Sequence, residues 1–157
     1  MRIVIIEDEA FAAEALEKMI LQLRPETELL EKIESVEEAV EWFDHNMHPD
    51  LVFCDIHLSD GSSFEIFKQT KIKSPVIFTT AFNEYAIDAF KLNSVDYLLK
   101  PIKKEELENA IKKYEDLKQN NISQELQNIQ NLITDSAKFS TKKSRFMVKS
   151  GQVIKTI

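Results

Sequence analysis

The chain has 157 residues, 43% of them hydrophobic, and a formal charge of −7, which suffices for one ordinary domain with its own core plus an appendage. Its two glycines argue against a Gly-rich nucleotide loop, its single cysteine, Cys54, excludes an intrachain disulfide and points to a reducing cytoplasm, and no apolar run reaches membrane-span length, so no membrane contact is expected. Residues 1–119 hold 14 Lys+Arg against 25 Asp+Glu, a net of −11, whereas residues 120–157 hold 6 against 2, a net of +4, so an acidic globule with one set of partners precedes a basic tail with another.

Along the chain, short apolar runs alternate with amphipathic stretches. "IVII" (3–6) predicts a buried strand, and Phe11, Ala15, Ile20 and Leu23 mark a helix after it. "LLEKIES" (29–35) is a weaker strand, followed by a helix carrying Ala39, Val40 and Phe43. "LVFC" (51–54) predicts the third strand, with Phe64, Ile66 and Phe67 on the next helix. "VIFTT" (76–80) is the fourth, before a helix with Ala86, Ile87 and Phe90. "DYLL" (96–99) is the fifth, before Leu107, Ile111 and Tyr114. Such alternation predicts an α/β fold, a doubly wound five-stranded parallel sheet of flavodoxin-like topology covered on both faces. Ligands of such folds bind outside the carboxyl ends of the strands.

From residue 119 the character changes. "QNNISQELQNIQNLITDS" is rich in Asn and Gln, yet Ile122, Leu126, Ile129 and Ile133 repeat at helical spacing. The stripe covers about two heptads, too few to assert a coiled coil. "AKFSTKKS" (137–144) reads as a loop, and "RFMVKSGQVIKTI" as two strands around Ser150-Gly151. A lone hairpin is marginal in water, so the chain is expected to stop just inside a second domain. The predicted organisation is a first domain over 1–118, a helical linker over 119–144 and an incomplete domain from 145 to 157.

The strand ends carry the chemistry. Glu7 and Asp8 follow the first strand and Asp55 ends the third, so a parallel sheet brings three carboxylates to one edge. Carboxylates so placed repel one another unless a hard divalent cation joins them. Lys100 follows the fifth strand and brings a cation, Thr79 and Thr80 bring hydroxyls, and the backbone carbonyl of His57 offers another oxygen. Together these groups suit a phosphoryl group, because each meets developing negative charge. Taken singly, an acid past a strand caps the next helix, a threonine pair serves a strand and a Lys-Pro makes a turn. Their joint occurrence, in order, carries the weight. The His57 imidazole is expected to point away while its backbone works, His45 and His48 have no chemical role, and Cys54 is a small core residue.

"IIEDEA", "LVFCDIHLSDG", "FTTA" and "YLLKP" resemble the motif set of the receiver domain of bacterial two-component response regulators, across about residues 1–118. The resemblance implies Asp55 as acceptor of a phosphoryl group from a sensor histidine kinase, with no turnover beyond self-phosphotransfer and autodephosphorylation. It implies a Mg2+ site of Glu7, Asp8, Asp55 and the His57 carbonyl, with Thr80 and Lys100 on the phosphoryl group. Tyr97 matches the aromatic that moves with the threonine, and Pro101 makes a cis peptide after Lys100 cheap. Two positions depart from the pattern: Glu-Asp stands for Asp-Asp, and Ser59 stands where relatives often have proline, which loosens that loop. Ala81 leaves the site open, and Phe82 covers one side.

"NEYAIDAFKLNSVDYLLKPI" (83–102) is similar to receivers joined to LytTR-type DNA-binding domains, and the tail resembles the opening strands of such a domain. The chain is then the switch of a cytoplasmic transcription regulator. It is expected to form a homodimer through the face of the fourth helix, fifth strand and fifth helix, and to meet DNA only through the missing output domain. A haloacid-dehalogenase-like phosphatase would need an acid where His57 stands. A flavin module would need a Ser/Thr/Gly-rich loop where "EDEAFAAE" stands, and a stand-alone receiver should end near 120.

Overall fold

The computed structural model describes residues 1–82 and 94–142, the side chains of 133–142 excepted. The predicted fourth helix (Ala86, Ile87, Phe90) and the hairpin expected over 145–157 lie outside the described residues. The elements in chain order are β1 (Arg2–Ile6), α1 (Ala10–Leu23), β2 (Glu28–Ile33), α2 (Val36–His45), β3 (Leu51–Asp55), β4 (His57–Leu58), β5 (Gly61–Ser62), α3 (Phe64–Gln69), β6 (Val76–Thr80), β7 (Asp96–Leu99) and α4 (Lys104–Lys142). Five strands form one sheet in the order β2-β1-β3-β6-β7, every pair parallel. The fold is the doubly wound α/β sheet that the alternation predicts.

Strands covered on both faces must be apolar at successive positions, and β1, β3 and β6 are. Odd and even residues separate two cores. Val4, Ile6, Val52, Cys54 and Phe78 pack with Ala39 and Phe43 of α2 and Ile66 of α3. Ile3, Ile5, Leu51, Phe53 and Ile77 pack with α1 and with Leu107, Ala110 and Ile111 of α4. The core face of α1 is Ala13, Leu16 and Ile20, not the Phe11–Ala15 line expected from sequence. Phe11 is 90% exposed, because two residues turn a helix by about 200° and Ala13 takes the inward position.

The chain divides into two compact units, Met1–Glu115 and Asp116–Ile157. The loop read in "AKFSTKKS" is corrected over 137–142, since α4 continues through Lys142, and its last two residues, 143–144, lie outside the described residues. No Gly or Pro interrupts those residues, and Ala and Lys are good helix formers. Leu126, Ile129 and Leu132 of this helix are 60%, 53% and 66% exposed.

Candidate functional site at the carboxyl edge of the sheet

Chain order sends β2 to one side of β1 and β3 to the other, so the topological switch point of the sheet lies between β1 and β3. Glu7 follows β1 and Asp55 closes β3, at 5% and 6% exposure. Buried acids need partners, and one lysine serves both. Lys100, just past β7, donates from Nζ to Glu7 Oε1 at 2.5 Å and to Asp55 Oδ2 at 2.9 Å. The second Glu7 oxygen accepts from Glu9 N at 3.2 Å. Asp8 is half-buried beside them, and carboxylate oxygens of Glu7, Asp8 and Asp55 lie within 4.8 Å of one another.

Burial pushes the Glu7 carboxyl up to about 7, against the lowering effect of Lys100, with Asp55 pushing further upward. Burial alone would lower the Lys100 pKa, but the hydrogen-bonded Glu7 and Asp55 carboxylates outweigh it and hold the ammonium above its ordinary value. Burial likewise pushes the Cys54 thiol up to about 12, which leaves it a core residue rather than a nucleophile.

The neighbouring strand supplies hydroxyls. Thr79 pairs with Asp55 in register, and its carbonyl accepts from Ile56 N at 3.0 Å. Thr80 is fully buried; its Oγ1 accepts from Phe82 N at 3.3 Å and its carbonyl from Lys100 N at 2.7 Å. The Lys100-Pro101 bond is cis. Tyr97 is half-buried in β7, with its hydroxyl donating to the carbonyl of Phe82. Phe82 is half-exposed, its ring edge-on to the His57 imidazole at 5.1 Å between centroids. The His57 side chain is exposed, while its backbone N–H donates to Asp55 Oδ1 at 3.3 Å. Glu7, Asp8, Asp55 and Lys100 are therefore brought together, with Thr80 and His57 beside them and Tyr97 one contact further out through Phe82.

Sequence reading missed how the loop after Asp55 is held. His57 pairs with Ser62 and Leu58 with Gly61 in a two-strand ribbon, with Gly61 at φ 140, a conformation suited to glycine. At its tip Asp60 Oδ1 accepts from Val36 N at 2.8 Å and Oδ2 from Glu37 N at 3.2 Å. "SDG" signals a turn, but nothing local names a partner 24 residues away.

Residues 3–112 match the family described as response regulator receiver domain. Sensory transduction protein LytT of Bacillus anthracis is 37% identical over 125 residues, 78% of this chain and 50% of that protein. Transcriptional regulatory protein LytR of Staphylococcus aureus (strain N315) is 36% identical over 116 residues, 72% and 46% respectively. The chain thus spans about half the length of the curated relatives it matches. The response regulatory domain of protein mrkE from Klebsiella pneumoniae superposes with a TM-score of 0.67 at 27% identity, covering 74% of this chain and 97% of that one. With the family's match running through more than half of the sequence and its fold in the sheet, the chain belongs to the response regulator receiver domains.

Proposed function

We propose that the chain is the phosphorylated switch of a transcription regulator, with Asp55 as the acceptor. The observation that carries this reading is the Asp55 carboxylate at the end of β3, one oxygen on Lys100 Nζ at 2.9 Å and a cluster of further acids beside it. An Asp55 oxygen attacks the phosphorus of a phosphohistidine on a sensor histidine kinase. The O–P bond forms as the P–N bond breaks, and the bonding pair leaves with the imidazole nitrogen. Lys100 then faces the new phosphoryl oxygens, and the Thr80 hydroxyl turns from Phe82 N to donate to one of them.

Three carboxylates and a backbone carbonyl form an all-oxygen donor set, which suits a hard cation. Glu7, Asp8, Asp55 and the His57 carbonyl would hold Mg2+, which neutralises charge on the phosphoryl oxygens when bound. The chain turns over no other substrate, releasing phosphate only by its own hydrolysis.

Movement of Thr80 toward the phosphoryl group lets Tyr97 leave Phe82 and turn inward, altering the face of the fourth predicted helix, β7 and the first turns of α4. That face pairs with a second copy. The names of the LytT and LytR relatives support a LytTR-type output domain beginning at residue 145, after a receiver over 1–118 and a linker over 119–144. DNA is read by that output domain in the cytoplasm. Among the described residues no helix is long and apolar enough to cross a membrane.

Sedimentation with and without beryllofluoride and Mg2+ tests the reading: association on addition is expected, and unchanged sedimentation overturns the switch. Tyr97→Ala should take up phosphate from acetyl phosphate yet fail to associate. Phosphate-dependent association in that variant overturns the Tyr97 coupling.

A further inference from the structure

The first N–H groups of a helix have no intrahelical acceptor. In α2 the third, Glu38 N, goes to the Ser35 N-cap hydroxyl at 3.1 Å, and Glu38 Oε1 accepts from Glu34 N at 2.9 Å. Ser35 thus caps α2 from its own side chain, and Glu38 reaches back to the N–H of the residue before that cap, so both donors are met by local residues. The first two donors, Val36 N and Glu37 N, are instead taken by both oxygens of Asp60. Those two backbone donors, Val36 first, hold the Asp60 carboxyl below its usual range.

Asp60 sits at the tip of the ribbon that returns from the acceptor. Ser63 N donates to Ile56 O at 2.7 Å, Leu58 is anchored in the core, and His57 lies one residue outside that anchor with its N–H on Asp55 Oδ1. The ribbon is held on its inner side by Leu58 and at its tip by Asp60. The His57 backbone lies on the acceptor side of both fixings, joined to the tip through the pairing of His57 with Ser62 and of Leu58 with Gly61.

We propose that Asp60 is a positioning residue for the acceptor site: by strapping the ribbon tip to the start of α2, it fixes the His57 backbone against Asp55. The assignment rests on the reading of the His57 carbonyl as a metal ligand. Groups that orient a ligand from outside the coordination shell commonly affect metal affinity by about 10–100-fold, and the exposure of Asp60 puts its effect at the lower end.

The test is calorimetric titration of the phosphate-free chain with Mg2+, alongside thermal unfolding without metal. Asp60→Ala should weaken Mg2+ binding by about tenfold. Asp60→Asn, which keeps an acceptor for Val36 N, should recover most of the loss. Ser35→Ala removes a cap from the same helix without touching the ribbon, so it should lower the unfolding temperature and leave Mg2+ affinity unchanged. Wild-type affinity in Asp60→Ala overturns the strap, and so does an equal loss of affinity in Ser35→Ala, which would trace the effect to helix stability. If the wild-type chain binds no Mg2+, the metal site falls and the strap with it. Loss of binding in Asp55→Asn with full binding in Asp60→Ala overturns the strap alone.

Discussion

The middle of β3 and its carboxyl end are equally buried and do opposite things. Phe53 is 1% exposed and Asp55 6%, yet one is surrounded by hydrocarbon and the other by a lysine and two more acids. The same contrast holds between Phe78 and Thr80 of β6 and between Ile5 of β1 and Glu7 just past it. Burial of Phe53 removes apolar surface from water and stabilises the sheet. Burial of Asp55 gains nothing of that kind and must be offset by Lys100. The rigid interior places a costly group at a fixed point.

The largest expected effect separates the two regions outright. Asp55→Asn should abolish labelling from acetyl phosphate with Mg2+ while the metal-free unfolding midpoint does not fall, because a like charge near Glu7 is removed. Persistent labelling would move the acceptor elsewhere. Phe53→Ala should do the reverse. Truncating a buried aromatic costs about 3–5 kcal/mol, read in urea unfolding, while labelling per folded molecule continues. Loss of labelling in still-folded Phe53→Ala would show that interior and edge are not separable.

The sheet was legible because its strands are nearly pure in one property. "LVFC", "VIFTT" and "DYLL" are short apolar runs between helical patterns, and the observed strands end within a residue of them. The acids were legible because each interrupts such a run at the same end. What escaped reading depends on contacts between distant segments. Leu16 rather than Ala15 faces the core because α1 takes one rotation about its axis on the sheet. Asp60 meets α2 because the ribbon carries it there. Glu7 shares Lys100 with Asp55, which spacing alone leaves open, since the lysine lies 93 residues away.

The lysine offers the next test of the contrast. Lys100→Met keeps much of the bulk and leaves Glu7 and Asp55 without their cation. Breaking a fully buried pair costs about 3–5 kcal/mol. Here the side chain is 22% exposed and Glu7 can protonate, so about 2 kcal/mol is expected in the metal-free protein. Added Mg2+ should restore much of the loss by binding the folded state. Equal destabilisation with and without Mg2+ would mean that Lys100 acts in packing rather than as a counter-charge.

The smallest effect belongs to an exposed charge pair away from this edge. Arg24, just past α1, meets Glu115 of α4 through two hydrogen bonds of 2.8 Å. Its hydrogen bond holds the Glu115 carboxyl below its ordinary range. A depressed folded-state pKa contributes stability above the unfolded value, and that stability is lost as pH falls through the folded one. The Glu115 side chain is 42% exposed, so solvent screening limits the pair to about 0.2–1 kcal/mol. Glu115→Gln should therefore flatten the decline in stability below the ordinary carboxylate range and leave phosphate uptake unchanged. A larger loss, present at neutral pH and insensitive to salt, would mean that this clasp carries load in the fold, as the Phe53 core does, rather than behaving as an exposed ion pair.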